Sequence, residues 1–305
     1  MSARIVAFLN FKGGVGKTSN VVNLGAALAI EGRGRVLVVD IDPQCNATYW
    51  LLRPRDFGGF TNTGRLLSDV QRTTYQIYQD AIDRTDHFPG ERAIFKSVPR
   101  TDTGIELIPR LDLLPASMDL LETEFGVNED NVARVRTSLR DALRPLESSY
   151  DYILIDCPPN IYHVTQTAVV AAHHILIPYN PDFLSLSGAR ILCRQLNKME
   201  DAFAPLRPER TGRQVCGFVI NRYMMVGKAY STAIAELSSQ IDVLKQHGYV
   251  HPGCRVLEPA IRQDIKVAES TSEHCPVLVH APDSIGSEDY RQLASSFVVH
   301  LDSLL

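Results

Sequence analysis

Short runs of Val, Ile and Leu recur along the chain and alternate with stretches that have helical spacing. The runs are "RIVAFLN", "RVLVVDID", "IELIP", "YILIDCPP", "HILIPYN", "VCGFVINR" and "CPVLVH", and a helix is predicted from about Thr18 to Glu31. Nearly continuous apolar runs are typical of parallel strands that are covered on both faces. Strands separated by helices imply right-handed βαβ units. The pattern therefore predicts an α/β fold with a doubly wound, mostly parallel sheet flanked by helices.

The stretch at about 52–103 interrupts this rhythm. It is rich in Arg, Asp, Thr and Gly, and its helical signal around "GRLLSDVQ" is weak. We interpret it as an insertion at the edge of the sheet, within a single domain of residues 1–305. A separate small domain is the alternative interpretation.

Composition and charge narrow the class of protein. The chain has 305 residues, of which 45% are hydrophobic and 22% charged, as is ordinary for a soluble globular protein. The net charge of −4 gives no global attraction to nucleic acid or to an anionic membrane, so a polyanion needs a local basic patch. The six cysteines form no C-x-x-C pair, and no apolar stretch approaches the roughly 20 residues of a membrane span. We expect a cytoplasmic protein without a membrane partner.

A glycine-rich loop, "KGGVGKT", follows the first predicted strand and opens the first helix. Its glycines, Gly13, Gly14 and Gly16, allow the backbone N–H groups to turn toward phosphate oxygens. The positive end of the following helix adds to this attraction. Lys17 is expected to reach the β- and γ-phosphates of a nucleotide, and the Thr18 hydroxyl is expected to bind Mg²⁺.

The loop departs from the standard G-x-x-x-x-G-K-[ST] pattern, because Phe11 stands where the first glycine belongs and Lys12 precedes Gly13. In this it resembles the ParA/MinD family of P-loop ATPases, and most closely the small, Soj-like ParA proteins. The resemblance implies a fold like that of the nitrogenase iron protein, with ATP and Mg²⁺ as cofactors. It also implies an ATP-dependent homodimer, in which Lys12 reaches the phosphates held by the partner subunit. A solvated lysine at a strand end is the simpler alternative for Lys12. The nucleotide-binding loop is then Lys12, Gly13, Gly14, Val15, Gly16, Lys17, Thr18 and Ser19.

Two aspartates end the second predicted strand in "VLVVDIDPQCNAT". Their spacing of two residues places Asp40 and Asp42 on one face of the strand, at its carboxyl end. By resemblance to the family motif, Asp42 orients the attacking water, while Asp40 supports the metal and the switch segment. Cys45 stands where glycine is usual in relatives, which predicts a stiffer turn. The alternative is that both aspartates only cap a turn before Pro43.

Further site residues are predicted at the ends of later strands. Asp156 ends "YILID", as does the second metal-binding acid of P-loop proteins, and is expected to hold a Mg²⁺-bound water. We expect the adjacent Cys157 to be a packing residue. By resemblance, Asn221 holds adenine, and Pro259 and Ala260 in "EPAIRQDIKVAES" pack over the base.

The family includes proteins with different functions, so function depends on further features. The absence of a close cysteine pair argues against an iron–sulfur carrier. The acidic last 18 residues argue against a membrane-cycling ATPase. Their apolar residues at helical spacing are expected to face the core, and these are Tyr290, Leu293, Phe297, Leu301 and Leu304. Because the first strand begins by Arg4, we expect no helix-turn-helix extension and hence no sequence-specific DNA binding.

A basic stripe is the remaining feature. Arg190, Arg194 and Lys198 recur at a spacing of four, and Lys266 matches a basic residue that ParA proteins place against DNA backbone. Other basic residues that could join the stripe are Arg222, Lys228 and Arg262. A solvated helix face is the alternative.

The sequence therefore predicts a ParA-type ATPase with weak, partner-stimulated hydrolysis. Its ATP-bound dimer would bind nonspecific DNA on the nucleoid and position a cargo such as a plasmid, a chromosome region or a protein assembly. A ParB-like or cargo adaptor would stimulate it. The alternative is a biosynthetic P-loop enzyme that uses ATP to activate a small substrate.

Overall fold

One parallel sheet forms the centre of the molecule in the computed structural model, which describes residues 2–53, 72–101, 103–181, 183–208, 212–222 and 229–304. Within these ranges the sheet has seven strands, in the order β3-β2-β4-β1-β5-β6-β7. All of its strand pairs are parallel. The strands are β1 (Arg4–Phe8), β2 (Val36–Asp40), β3 (Leu111–Leu114), β4 (Tyr152–Asp156), β5 (His174–Tyr179), β6 (Val215–Ile220) and β7 (Arg255–Leu257).

Helices cover both faces of this sheet. They are α1 (Lys17–Ile30), α2 (Asn46–Leu51), α3 (Thr74–Asp83), α4 (Leu120–Gly126), α5 (Val132–Leu143), α6 (His163–Ala171), α7 (Phe183–Phe203), α8 (Ala229–Gln246), α9 (Ile265–Ser272), α10 (Val277–His280) and α11 (Ile285–Asp302). Alternate residues of β1 enter two separate apolar cores: Ile5 and Ala7 lie in one, and Val6 and Phe8 lie in the other. This explains why the strand sequences are continuously apolar, and it confirms the predicted doubly wound α/β fold.

The register of the sheet brings the predicted acids together. Asp40 is paired with Asp156 across β2 and β4, and Phe8 is paired with the same aspartate across β1 and β4. The carboxyl ends of these strands therefore meet at one edge, immediately beside the loop that leaves β1. This is where doubly wound sheets bind ligands.

Two of the predicted strands are wrong. "CPVLVH" forms the short helix α10, which packs against α1 and α11 instead of entering the sheet. An apolar run this short does not distinguish a strand from a buried helical turn. "IELIP" does not enter the parallel sheet; Glu106 forms an isolated antiparallel bridge with Arg100, and Ile105 is exposed. The strand lies a few residues later, at Leu111–Leu114, and the sequence analysis also missed β7.

Part of the predicted insertion, including "GRLLSDVQ", lies outside the described residues. In the part that is described, Ile77 and Tyr78 of α3 are buried in the core, and α3 packs against α5. The assignment of about 52–103 as an insertion within one domain stays a prediction. Of the tail positions predicted to face the core, Tyr290, Leu293, Phe297 and Leu301 are buried in α11, and Leu304 is partly buried against the same core. Among the described residues, no helix is both long enough and apolar enough to cross a membrane.

Candidate nucleotide site

The glycine loop has a backbone that ordinary residues rarely adopt. Gly14 and Gly16 have φ angles of 72° and 91°. A Cβ atom on Gly16 would also lie 2.9 Å from the side chain of Asn221, so this position excludes a side chain for two reasons. No described side chain caps the N-terminus of α1, and its first N–H groups are therefore available to an anion.

Three asparagines that follow the neighbouring strands β1, β5 and β6 brace this loop. The Asn10 side chain accepts a hydrogen bond of 3.0 Å from the Lys12 N–H group. The Asn180 amide donates to the carbonyl of a loop glycine over 3.3 Å, and the Asn221 amide donates to the Val15 carbonyl over 2.9 Å. The sequence analysis assigned Asn221 to adenine and missed the other two. The contact of Asn221 with the loop is a second role for this side chain. Its contact with adenine stays a prediction.

The two lysines of the loop occupy different places. Lys17 is buried, lines the cavity beside the loop, and donates from Nζ to the Lys12 carbonyl over 3.3 Å. Burial lowers the pKa of Lys17, while the carboxylates of Asp156 and Asp42 oppose the shift. The partly exposed Lys12 is not among the residues that line the cavity. The structure thus places one lysine in the pocket of its own subunit and the other outside it.

Asp40 and Asp42 also occupy different places, since Asp42 lines the cavity and Asp40 does not. Asp40 is fully buried, and its oxygens accept hydrogen bonds from the N–H of Asp42 and from both the N–H and the hydroxyl of Thr48. Burial and the neighbouring Asp42 carboxylate raise the pKa of Asp40 to about 7. Asp42 lines the cavity and accepts a hydrogen bond of 2.9 Å from the Gln44 N–H. Asp40 therefore holds the segment that carries Asp42. Direct contact between Asp40 and a metal stays a prediction. The hydrogen bonds do not favour it, because they already occupy the Asp40 oxygens.

Asp156 is the last residue of β4. Both of its carboxylate oxygens are buried and accept no hydrogen bond from a described group. Burial and the Asp40 carboxylate raise the pKa of Asp156 well above its ordinary value, and the nearby Thr18 hydroxyl opposes this shift. Mg²⁺ usually keeps several waters and takes only one or two carboxylates. An unsatisfied buried carboxylate beside a threonine hydroxyl fits such a hydrated cation.

The cysteines near the site are structural. Cys45 is buried and has a φ of 54°, a left-handed conformation that is normally taken by glycine. Cys157 is fully buried beside Asp156, and burial raises the pKa of both thiols above their ordinary value. A thiol that stays protonated is a poor nucleophile, so packing is the role that the structure supports for Cys157.

A cavity of about 650 Å³ opens between the loop and the region around α9. Asn221 lines it, and the wall beyond is formed by residues 261–264, which directly follow Pro259 and Ala260. The packing of those two residues over a base stays a prediction. Trp50 and Tyr290 also line the cavity, although the sequence analysis named neither as a site residue. Tyr290 was expected to face the core, which it does while also bordering the cavity.

The basic stripe is exposed. Arg190, Arg194 and Lys198 all lie on the solvent side of α7, and none of them makes an ion pair with a described carboxylate. Lys266 is on α9, where its ammonium pairs with Glu269 at 2.7 Å. The structure does not bring Lys266 into contact with the stripe.

Three further basic residues were suggested as additions to the stripe, and the structure describes two of them. Arg262 is engaged by Asp289, with its nitrogens 2.6 and 3.0 Å from the carboxylate oxygens, so its guanidinium is committed within the subunit. Arg222 lines the nucleotide cavity. Lys228 lies outside the described residues.

Comparison with known proteins agrees with this geometry. A family model described as "AAA domain" matches residues 3–206. The chromosome partitioning protein ParA of Caulobacter vibrioides is 30% identical over 97% of this chain and 94% of its own. The sporulation initiation inhibitor protein Soj of Bacillus subtilis is 32% identical over 95% and 96%. The chain belongs to the ParA/MinD family of P-loop ATPases.

A solved structure of another protein has the same fold as this chain. Cobyrinic acid a,c-diamide synthase from Mycobacterium smegmatis, in a structure with a bound ATP analog and magnesium, superposes with a TM-score of 0.65. It is 25% identical, and the match covers 99% of this chain and 96% of that one. Membership of the family implies a nucleotide-binding ATPase, and the ParA and Soj relatives support a partitioning function.

Proposed function

We propose that this protein is a ParA-type ATPase whose ATP-bound dimer binds nonspecific DNA and positions a cargo. The observation that carries the proposal is the separation of the two lysines: Lys17 lines the cavity of its own subunit, and Lys12 does not. A cation outside its own pocket is suited to complete the pocket of a partner, as an arginine finger does. Hydrolysis would then depend on dimerisation.

Each side chain at the site has a separate task in this proposal. Lys17 and the loop N–H groups bind the phosphates, and Thr18 and Asp156 would hold Mg²⁺, which supplies positive charge to the phosphates. Asp42 orients the water that attacks the terminal phosphate, and the hydrogen bonds of Asp40 to Thr48 keep the Asp42 segment in place. Lys12 of the partner subunit stabilises charge that develops in the transition state.

DNA binding rests on the stripe of α7. Its three cations are exposed and have no described acid partner, so they are available to phosphate. The chain as a whole has a net charge of −4, and three contacts per monomer give only weak binding. A dimer that presents two stripes on one side doubles the number of contacts. ATP-dependent dimerisation would therefore switch DNA binding on, and a ParB-like or cargo adaptor would switch it off by stimulating hydrolysis.

A mobility-shift assay tests this proposal. Asp42→Ala protein, which should retain ATP without hydrolysing it, is mixed with random duplex DNA at low salt in ATP or in ADP. A shift with ATP but not with ADP is expected. Absence of any shift with ATP would remove the DNA-binding function.

One observation favours a second candidate, a biosynthetic enzyme that uses ATP to activate a small substrate. The synthase described above is 25% identical to this chain over nearly its whole length. Such an enzyme should hydrolyse ATP only with its substrate, should be indifferent to DNA, and should not need Lys12 from a partner. The same mobility shift, together with turnover of Lys12→Ala, separates the two functions.

A further inference from the structure

An apolar ridge lies exposed on α4 and the turn before it. Met118, Leu121 and Phe125 follow helical spacing, and their exposed fractions are 42%, 56% and 92%. The opposite side of α4 is the buried one, where Leu120 and Thr123 face the interior. This arrangement, which we call the α4 ridge, is an apolar helix face without a cover among the described residues.

Exposed carboxylates lie on α4 and in the segment that follows it. From Leu114 to Ala133 the chain has five acidic residues and neither Lys nor Arg. Three of the acids, Glu122, Glu129 and Asp130, are exposed. The next arginine, Arg134, donates hydrogen bonds to the carbonyls of Ala81 and Asp130, so one positive charge lies just beyond the three exposed acids. The ridge is therefore apolar in its centre and negative at its rim.

The α4 ridge is also connected to the nucleotide site. Glu124, the neighbour of Phe125, accepts hydrogen bonds of 3.0 Å from the N–H groups of His163 and Val164, the first two residues of α6. The segment between β4 and α6 begins directly after Asp156 and includes Pro159, which lines the cavity. A ligand that moves α4 would thus act on the segment that follows the metal-binding aspartate.

We propose that the α4 ridge is the docking surface for the stimulating adaptor, and that the adaptor binds through a positively charged amphipathic segment. The inference rests on the proposed function, since it assigns a place to the partner of that function. Apolar side chains of the segment would cover Leu121 and Phe125, and its Lys or Arg residues would face the acidic rim. Glu124 would pass the contact on to α6, and it is a positioning residue.

Synthetic peptides test the chemistry of this surface. The probe is a labelled amphipathic peptide of leucine and lysine, and its counterpart has glutamate in place of lysine. Fluorescence anisotropy should show binding of the lysine peptide alone, weakening as salt is added. Phe125→Ser should weaken binding by roughly 10-fold or more, as removal of an interface anchor does. Val299→Ser is the matched control, because Val299 is 64% exposed on α11, away from the ridge.

A second variant tests the link to the nucleotide site. Glu124→Ala should bind the lysine peptide as the wild type does but lose the stimulation of ATP turnover that the peptide causes. Equal weakening by Phe125→Ser and Val299→Ser, or equal binding of the glutamate peptide, would overturn the proposal. A change in dimerisation or in unstimulated turnover by Phe125→Ser would overturn it too, because the ridge would then contact a second copy or its own chain. ATP-dependent DNA binding of the wild type is measured in parallel: its loss removes the proposed function, whereas failure of the peptide alone removes only the docking surface.

Discussion

The nucleotide cavity and the α7 stripe both bear charged side chains, but those of the cavity are buried and those of the stripe are exposed to solvent. Lys17, Asp40, Asp42 and Asp156 are almost fully buried, and burial is the largest cause of the pKa shift of each. The cations of the stripe are exposed along one side of α7. A buried cluster loses its function when one member is removed, because the others are left without compensation. An exposed stripe loses it in increments, because each phosphate contact contributes separately.

The largest effect is expected at Asp42. Asp42→Ala should lower ATP hydrolysis by about 10²–10⁴-fold, because the attacking water loses its orientation. The variant should still bind ATP and form a dimer, which size-exclusion chromatography in ATP measures. A monomeric variant would show that Asp42 acts in nucleotide or switch binding and not in the chemical step.

The next effect is expected at Lys17. Lys17→Ala should weaken binding of fluorescent ADP by roughly 10²-fold, because the phosphates lose a buried, charge-assisted contact. Lys12→Ala is the matched control and should bind ADP nearly as the wild type does, since Lys12 lies outside the cavity. If both variants lose ADP to the same extent, the two lysines do not have separate roles.

A smaller and graded effect is expected on α7. Arg194→Glu in the ATP-bound dimer should reduce the slope of log affinity for DNA against log salt by about 2, or roughly 0.9 for each subunit. Dimerisation should be unchanged. Arg110→Glu, which makes the same charge change at an exposed site outside the stripe, should leave the slope nearly as it is. Equal slopes for the two variants would leave α7 as a solvated surface.

The smallest effect is expected at Cys45, which lies next to the cavity and has a strained, left-handed backbone. At most positions a protein with alanine is more stable than the same protein with glycine. At a φ of 54° this order should reverse. Urea unfolding should therefore show Cys45→Gly to be more stable than Cys45→Ala by about 1 kcal/mol. The usual order would mean that the turn is not left-handed in solution.

Sequence patterns predicted the parts of the site that local spacing controls. The loop, Asp42 and Asp156 lie where the sequence placed them, since each is at or just beyond the carboxyl end of a strand and parallel strands end at one edge. Asn180 was missed because its contact with the loop joins residues far apart in the chain, which no local pattern reports. Asn10 was missed for the same reason, since its amide is held by the distant Pro178 carbonyl, to which it donates over 2.8 Å, while its oxygen accepts from Lys12. The prediction of a strand at "CPVLVH" was wrong for a related reason. Packing against α1 decides the conformation of this segment, and its few residues fit either a strand or a helix.

The central claim is that Lys12 acts in the site of the partner subunit, and mixing two inactive variants tests it most directly. Lys12→Ala retains Asp42, and Asp42→Ala retains Lys12, so a dimer of one with the other has one complete site if Lys12 acts across the interface. An equal mixture should then hydrolyse ATP at about a quarter of the wild-type rate, because half of the dimers are mixed and each has one working site. A mixture that stays as inactive as its separate components, although mixed dimers form, would contradict the account.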